Sequence, residues 1–274
     1  MTQDAVSPRV RASLILPVYN HEERLAEVLD DIRSTLADGE YEIIVVYDVT
    51  KPEMIDSVKV EQEQLQKVYG IRPVTRVNQR GFGSALRCGF EVSHGEIVIP
   101  IMADCSDDIA AIPRMLDEIG TGADIVAGSR YMPGGRIVGD TPKQQLSRLY
   151  SLFMRLISGV SCHDVSNSFK AYRRAVWENI ANESNSFDIS VEMTIKAAMQ
   201  GYRISQVPSV WINRQAGTSQ FAMLKEFRNY MRWLLYATSR APSRFFLLLA
   251  ALSIFSLIIY GTRLLHPISR DNAG

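Results

Sequence analysis

The sequence has few cysteines, no excess of charge, and only one long apolar run. Cys88, Cys105 and Cys162 are odd in number and lack metal-ligand spacing, which excludes a disulfide framework and a zinc site and fits reduced, cytosol-facing thiols. Cys162-His163-Asp164 resembles a reactive cluster, but adjacent residues do not face one another. Lysine plus arginine number 30 and aspartate plus glutamate 30, so bulk electrostatics predict no nucleic-acid partner. Internal repeats, low-complexity tracts and Walker-type phosphate-loop spacing are all absent, which argues against a solenoid and an NTPase. The opening M-T-Q-D-A-V-S-P-R-V has no apolar signal core, so the main domain is expected in the cytosol.

The one long apolar run is 245–262, uncharged between Arg244 and Arg263. As a helix it spans about 27 Å at ~1.5 Å per residue, against a bilayer core of about 30 Å. A single membrane helix is the expectation; a buried core helix or a hairpin-like insertion is the alternative. Before it, residues 219–237 place Phe221, Leu224, Phe227, Met231, Leu234 and Leu235 on one helical face and Lys225, Arg228 and Arg232 on the other. Tyr230, Trp233 and Tyr236 flank the stripe. Basic residues with aromatics suit a helix lying in a membrane interface, though the pattern also fits a helix packed on a domain. Lys225, Arg228, Arg232, Arg240 and Arg244 precede the span and Arg263 and Arg270 follow it, which favours a cytosolic N-terminal side.

The rest of the chain turns on residues 96–109, E-I-V-I-P-I-M-A-D-C-S-D-D-I. An apolar run at 97–102 reads as a strand buried on both faces, and it breaks into Asp104, Ser106, Asp107 and Asp108. Carboxylates at the carboxyl end of such a strand lie where open α/β sheets bind ligands, and their oxygens suit Mg²⁺ or Mn²⁺. The competing reading is that Asp107 or Asp108 caps the next helix.

Strands at 12–17, 42–47, 71–77, 97–102 and 123–127 alternate with helices at 22–36, 54–68, about 82–92 and 109–119. That rhythm, without a hairpin signal, predicts a doubly wound, mostly parallel sheet. After Gly128 the pattern changes. Residues 132–140 read as a glycine-rich loop, and Leu146, Leu149, Tyr150, Phe153, Leu156 and Ile157 define one face of a helix starting at Thr141-Pro142. A strand at 168–172, a helix at 188–200 and one or two antiparallel strands at 203–214 complete the expectation. Gly81 and Gly83 do not fit the dinucleotide fingerprint, but their turn can let backbone approach a nucleotide, with Arg76 and Arg80 nearby as anion partners.

Several motifs occur in order: L-P-V-Y-N at 16–20, V-V-Y-D at 45–48, N-Q-R-G-F-G-S-A-L-R-C-G-F at 78–90 and G-S-R-Y-M-P-G-G at 128–135. D-V-S-N-S-F-K-A-Y-R at 164–173, F-D-I-S-V-E-M at 187–193 and N-R-Q-A-G-T-S-Q at 213–220 follow. Over about 13–220 the chain resembles the polyprenyl-phosphate (dolichyl-phosphate) mannose synthases and their relatives among the inverting family-2 glycosyltransferases. G-S-R-Y-x-x-G-G is the most specific element of that likeness. The resemblance implies a GT-A domain, expected at 1–217; the patterning described above adds an interfacial amphipathic helix at 218–240, a membrane helix at 245–262 and a tail at 263–274. The resemblance also implies inverting, metal-dependent transfer from a GDP- or UDP-sugar to a polyprenyl phosphate, by a membrane enzyme whose catalytic domain faces the cytosol.

By the same resemblance Pro17, Tyr19 and Asp48 belong to the nucleotide side, to which the glycine turn read above adds Arg76, Gly81 and Gly83. Asp104, with Ser106 and Asp107, belongs to an Mg²⁺ or Mn²⁺ site, and Arg130, Ser147, Arg148 and Arg214 to the acceptor phosphate. Asp104, Arg130 and Arg214 are the residues expected to carry catalysis; residues 134–140 correspond to a mobile loop over the acceptor. Surface ion pairing is the competing role for the two arginines. Arg173 and Glu192 match recurrent positions without an assigned step.

The chain departs from the family pattern at several points. Met102 replaces the first aspartate of D-x-D, Tyr47-Asp48 a pair of aspartates, His21 a glutamate, and Asn167-Ser168 a Ser-Gly pair. A thioether is a poor ligand for a hard cation, so coordination falls to Asp104, Asp107, water and the diphosphate. The phosphate nucleophile is already anionic and requires no strong base. The alternatives are a same-fold glycosyltransferase with a glycan or other lipid acceptor, and a membrane-tethered nucleotide-binding module without catalysis.

Overall fold

The computed structural model describes residues 10–36, 41–139, 142–213, 223–246 and 249. In the first half β1 (Ala12–Tyr19), α1 (Leu25–Thr35), β2 (Tyr41–Val49), α2 (Ile55–Tyr69), β3 (Arg72–Val77), α3 (Phe82–Val92), β4 (Ile97–Pro100), α4 (Ile112–Gly120) and β5 (Ile125–Ser129) alternate. Then come β6 (Arg136–Val138), α5 (Pro142–Ser158), β7 (Lys170–Arg173), α6 (Arg174–Asn179), α7 (Ile189–Met199), β8 (Ile204–Pro208), β9 (Val210–Ile212) and α8 (Met223–Arg240).

Strands β1, β2, β4 and β5 are largely apolar runs buried on both faces, which is what a sheet covered on each side by helices requires. Leu14, Leu16, Val45 and Tyr47 point to a core shared with α1, α2 and α4. Ile15, Ile44 and Val46 point to the opposite core, with α3, α5, α6, α7 and α8. Close approach of α3 depends on Gly89, where a Cβ would lie 2.5 Å from Cγ2 of Ile15.

The strand order is β3-β2-β1-β4-β7-β5-β8, with β7 antiparallel to both of its neighbours and the other pairings parallel. The doubly wound, mostly parallel expectation therefore holds, with one inserted strand. Residues 203–214 do form two strands, but neither is antiparallel as expected. β8 runs parallel to β5, and β9 leaves the main sheet to run parallel to β6 in a two-stranded ribbon. The switch falls at Ser209, whose N–H still reaches the Ser129 carbonyl (3.1 Å) while its own carbonyl accepts from Arg136 N (3.2 Å).

α8 is docked on the domain. Trp233 and Ala237 are buried in the core, and Tyr150 of α5 donates its hydroxyl to the Tyr230 carbonyl (2.9 Å). Phe227 and Leu235 remain exposed, as do Leu146, Leu149, Leu152 and Leu156 on α5. The helix thus buries the aromatic edge of its amphipathic pattern and leaves part of the expected lipid-facing stripe outside. Among the described residues no helix is long and apolar enough to cross a membrane, and most of the expected span at 245–262 lies outside them.

Candidate active site

The carboxyl ends of β1, β2, β4 and β5 converge on one edge of the sheet, the position where a doubly wound fold presents loops to a ligand. On the β1–β2 side, Asn20 has a positive φ (58°) and its Oδ1 accepts from the Thr50 N–H (2.8 Å). Pro17 is half-buried on β1, and the Arg80 guanidinium stands 5.1 Å from the Tyr19 ring centroid. Asp48 is buried and accepts from Arg76 Nε (2.6 Å), Arg76 Nη2 (2.8 Å) and Gly81 N (3.2 Å).

Arg76 is therefore not an exposed anion partner. It is buried and orients Asp48, with a further bond to Ser84 Oγ (3.1 Å). The two glycines also have a physical reason that the pattern did not reveal. A Cβ at Gly81 would lie 2.4 Å from the Asn185 carbonyl oxygen, and one at Gly83 2.3 Å from that of Ser184. It is the approach of chain 184–186 that requires glycine here.

On the β4 side, Asp104 and Ser106 are both buried, and Asp104 Oδ1 accepts from Ser106 N (3.2 Å). Cys105 between them has a positive φ (60°), which turns the chain sharply. The Asp107 carboxylate reaches back to the Met102 N–H (2.8 Å), and Asp108 Oδ2 accepts from Val210 N (3.0 Å). Neither carboxylate caps the helix that follows; both tie the loop 102–108 into place. Burial pushes the Asp107 carboxyl up to about 7, against the bond from Met102 N and with the charge of Asp104 adding to the rise.

Among the described residues no three acidic, histidine or cysteine side chains converge into a metal cage. Asp104 and Asp107 offer hard oxygens close to one another, which fits a divalent cation whose remaining ligands are diphosphate and water.

On the β5 side, Arg130 is held by Asp164 through Nε (2.6 Å), Nη2 (2.9 Å) and its own N–H (3.1 Å). Burial alone would lower the Arg130 pKa, but Asp164 outweighs it and raises it further. Burial alone would raise that of Asp164, and the guanidinium outweighs it and holds the carboxyl below its ordinary value. Ser147 Oγ accepts from Tyr131 Oη (2.9 Å), lies 2.7 Å from Ser166 Oγ and is within 3.3 Å of Arg130 Nη2. Beneath them Lys170, fully buried, donates to the carbonyls of Val165 (3.1 Å) and Asn167, and burial brings its ammonium down to about 8.

Arg130, Arg136 and Arg148 line one cleft of about 220 Å³ with Tyr131, Gln144 and Gln145. Arg148 is exposed, next to Leu149. The structure thus brings Arg130, Ser147 and Arg148 together as expected; Arg214 lies outside the described residues. Arg136 was not singled out from the sequence, and Asp164 was named only within the Cys162-His163-Asp164 cluster, not as a partner of Arg130. Asp164 opens a quoted motif, and Arg136 follows two glycines, but neither signal distinguishes an ion-pair partner from a loop residue.

The fold is that of the GT-A glycosyltransferases. Crystal structures of glucosyl-3-phosphoglycerate synthase from Mycobacterium tuberculosis are similar over 85% of this chain. One, in complex with Mn²⁺, UDP and glucosyl-3-phosphoglycerate, gives a TM-score of 0.59 at 19% identity over 80% of its own chain. The family model for glycosyl transferase family 2 matches residues 13–181, and the chain belongs to that family. It is a glycosyltransferase. It is 29% identical to polyprenol monophosphomannose synthase of Mycolicibacterium smegmatis, over 79% of this chain and 83% of that one. It is also 29% identical to undecaprenyl-phosphate mannosyltransferase of Micrococcus luteus (78% and 88%). Dolichol-phosphate mannosyltransferase of Pyrococcus furiosus is 27% identical over 82% of this chain and 64% of its own length.

Proposed function

We propose that the enzyme transfers a sugar, with inversion, from a nucleotide-sugar to a polyprenyl phosphate at a membrane surface. One observation carries this reading: the cleft lined by Arg130, Arg136 and Arg148 opens beside the exposed leucines of α5. Arginines suit a phosphate, and an adjoining apolar face suits the chain attached to it. The names of the relatives point the same way. A soluble phosphorylated acceptor would use the arginines and leave the leucines without purpose.

The donor lies toward Tyr19, Asp48 and the Gly81–Gly83 turn, its diphosphate toward Asp104 and Asp107. Those two carboxylates would hold Mg²⁺ or Mn²⁺, which when bound supplies positive charge to the leaving diphosphate. The acceptor phosphate sits in the arginine cleft, where positive charge draws it close to the donor. Its oxygen attacks the anomeric carbon as the bond to the diphosphate breaks. The nucleophile is already anionic, so positioning and charge neutralisation supply the catalysis. Arg214, two residues beyond the end of β9, is assigned to the same acceptor phosphate.

The test is a panel of GDP- and UDP-sugars incubated with purified enzyme, Mn²⁺ and radiolabelled undecaprenyl phosphate. Transfer of one sugar to the lipid is the expected result. Equal or better transfer to short water-soluble phosphates would replace the lipid acceptor; absence of transfer from every donor would remove the reading.

A further inference from the structure

Segment 183–188 lies between the donor turn and α8 and is bonded to both. Its main chain serves the turn: the Asn185 carbonyl accepts from Gly83 N (3.1 Å) and the Ser184 carbonyl from Arg87 Nη1 (2.6 Å). Phe187 stacks on Phe82 with ring centroids 4.7 Å apart. Two buried carboxylates of the F-D-I-S-V-E-M motif hold the segment itself. The Glu192 carboxylate accepts from Glu183 N (2.9 Å) and Ser184 N (2.8 Å), with Lys196 Nζ beside it (2.6 Å).

Asp188 does more. Its Oδ2 accepts from Ser184 Oγ (2.8 Å), from Trp233 Nε1 (2.8 Å) and from Arg232 Nη2 (3.2 Å), the last two on α8. Ser186 adds a bond to Glu226 of the same helix. One carboxylate oxygen therefore closes a path from α8, through 184–187, to the turn whose Gly81 N–H meets Asp48.

We propose that Asp188 is a positioning residue for the nucleotide side, fixing the Gly81–Gly83 turn through segment 184–187 and fastening that turn to helix α8. This rests on the turn belonging to the donor site. Asp188 touches no reacting atom; it sets where the Gly81 and Gly83 main chain stands, since Gly83 N is bonded to the Asn185 carbonyl and the segment lies so close that a Cβ at either glycine would collide with it. Replacing the carboxylate by an amide retains the shape but removes charge and one acceptor from a site where three donors meet.

The experiment measures GDP and UDP binding by calorimetry in Mn²⁺ for wild type, Asp188→Asn and Trp233→Phe, with transfer kinetics beside it. Asp188→Asn is expected to weaken binding of the preferred nucleotide about three- to tenfold. The donor KM should rise equally, and kcat at saturating donor should stay within about twofold. Trp233→Phe, which retains the ring and removes the N–H, should shift affinity in the same direction by less, and it decides the matter alone should Asp188→Asn not fold. Unchanged nucleotide affinity, or a fall in kcat without a rise in donor KM, would overturn the positioning role while leaving the donor site intact. Wild type that binds neither GDP nor UDP would overturn the donor reading and the positioning role together.

Discussion

Arg130 and Asp164 form a two-pronged ion pair in which the carboxylate is fully buried and the guanidinium nearly so. Nε and Nη2 of Arg130 are both engaged, so the forked Nε/Nη2 edge is turned to protein and not to substrate. A phosphate would meet the Nη1 side, with Arg136 and Arg148 completing its charge. Breaking a buried pair leaves one charge uncompensated, which costs about 3–5 kcal/mol. Asp164→Asn should therefore lose stability on that scale in urea titration, and Arg130→Lys should lose both stability and transfer. A destabilisation below about 1 kcal/mol for Asp164→Asn would mean that the pair is no stronger than a surface one.

The same pair fixes the sign of an acid effect. The folded pKa of Asp164 lies below its ordinary value of 3.8, so the unfolded chain takes up its proton first as pH falls. The contribution is present above about pH 4 and is lost as pH falls through the folded pKa. Denaturation midpoints between pH 2 and 6 should show a steeper acid limb for wild type than for Asp164→Asn. Parallel limbs would exclude Asp164 as a source of acid lability.

Asp104→Asn should reduce transfer by more than about a hundredfold, with Mn²⁺ titration failing to restore it. The substitution is isosteric, so thermal unfolding should shift by no more than a few degrees. Near-normal turnover at low Mn²⁺ would move the cation elsewhere.

Leu149 on α5 and Leu235 on α8 are 49% and 66% exposed, so charge at either should leave the fold unchanged. The pair Leu149→Glu and Leu235→Glu should weaken sedimentation with anionic vesicles about tenfold or more, since each buried methylene is worth ~0.8 kcal/mol. Unaltered sedimentation would free this face from any membrane role.

Much of the sheet was legible because burial on both faces leaves a compositional trace: runs such as 43–46 and 97–99 admit few other readings. Direction was less legible. The antiparallel sense of β7 and the parallel sense of β8 and β9 are set by partners distant in sequence, and no local pattern records that. Asp104 was legible as a candidate because a carboxylate at the end of a buried strand lies where this kind of sheet meets ligands, whereas Tyr19 and Asp48 came from the resemblance alone. Arg76 was misread as an anion partner, since sequence gives a charge but not its counter-charge 28 positions away on the neighbouring strand. The glycines read as a turn that lets backbone approach a nucleotide; what no pattern revealed is that the space of a Cβ there is taken by backbone from 184–186. For α8 the periodicity was correct and the buried edge was not, because a tryptophan whose N–H finds a buried carboxylate goes inside.

Strand β7 sets a gauge for the reaction. Because it is wedged between β4 and β5, the loop bearing Asp104 and the loop bearing Arg130 rise two strand spacings apart, about 9.6 Å by the usual ~4.8 Å interval. A sheet without the wedge would set the two loops one interval apart. The spacing between the carboxylate loop and the arginine cleft is thus written into the hydrogen-bond pairing across the sheet, well before any side chain is chosen.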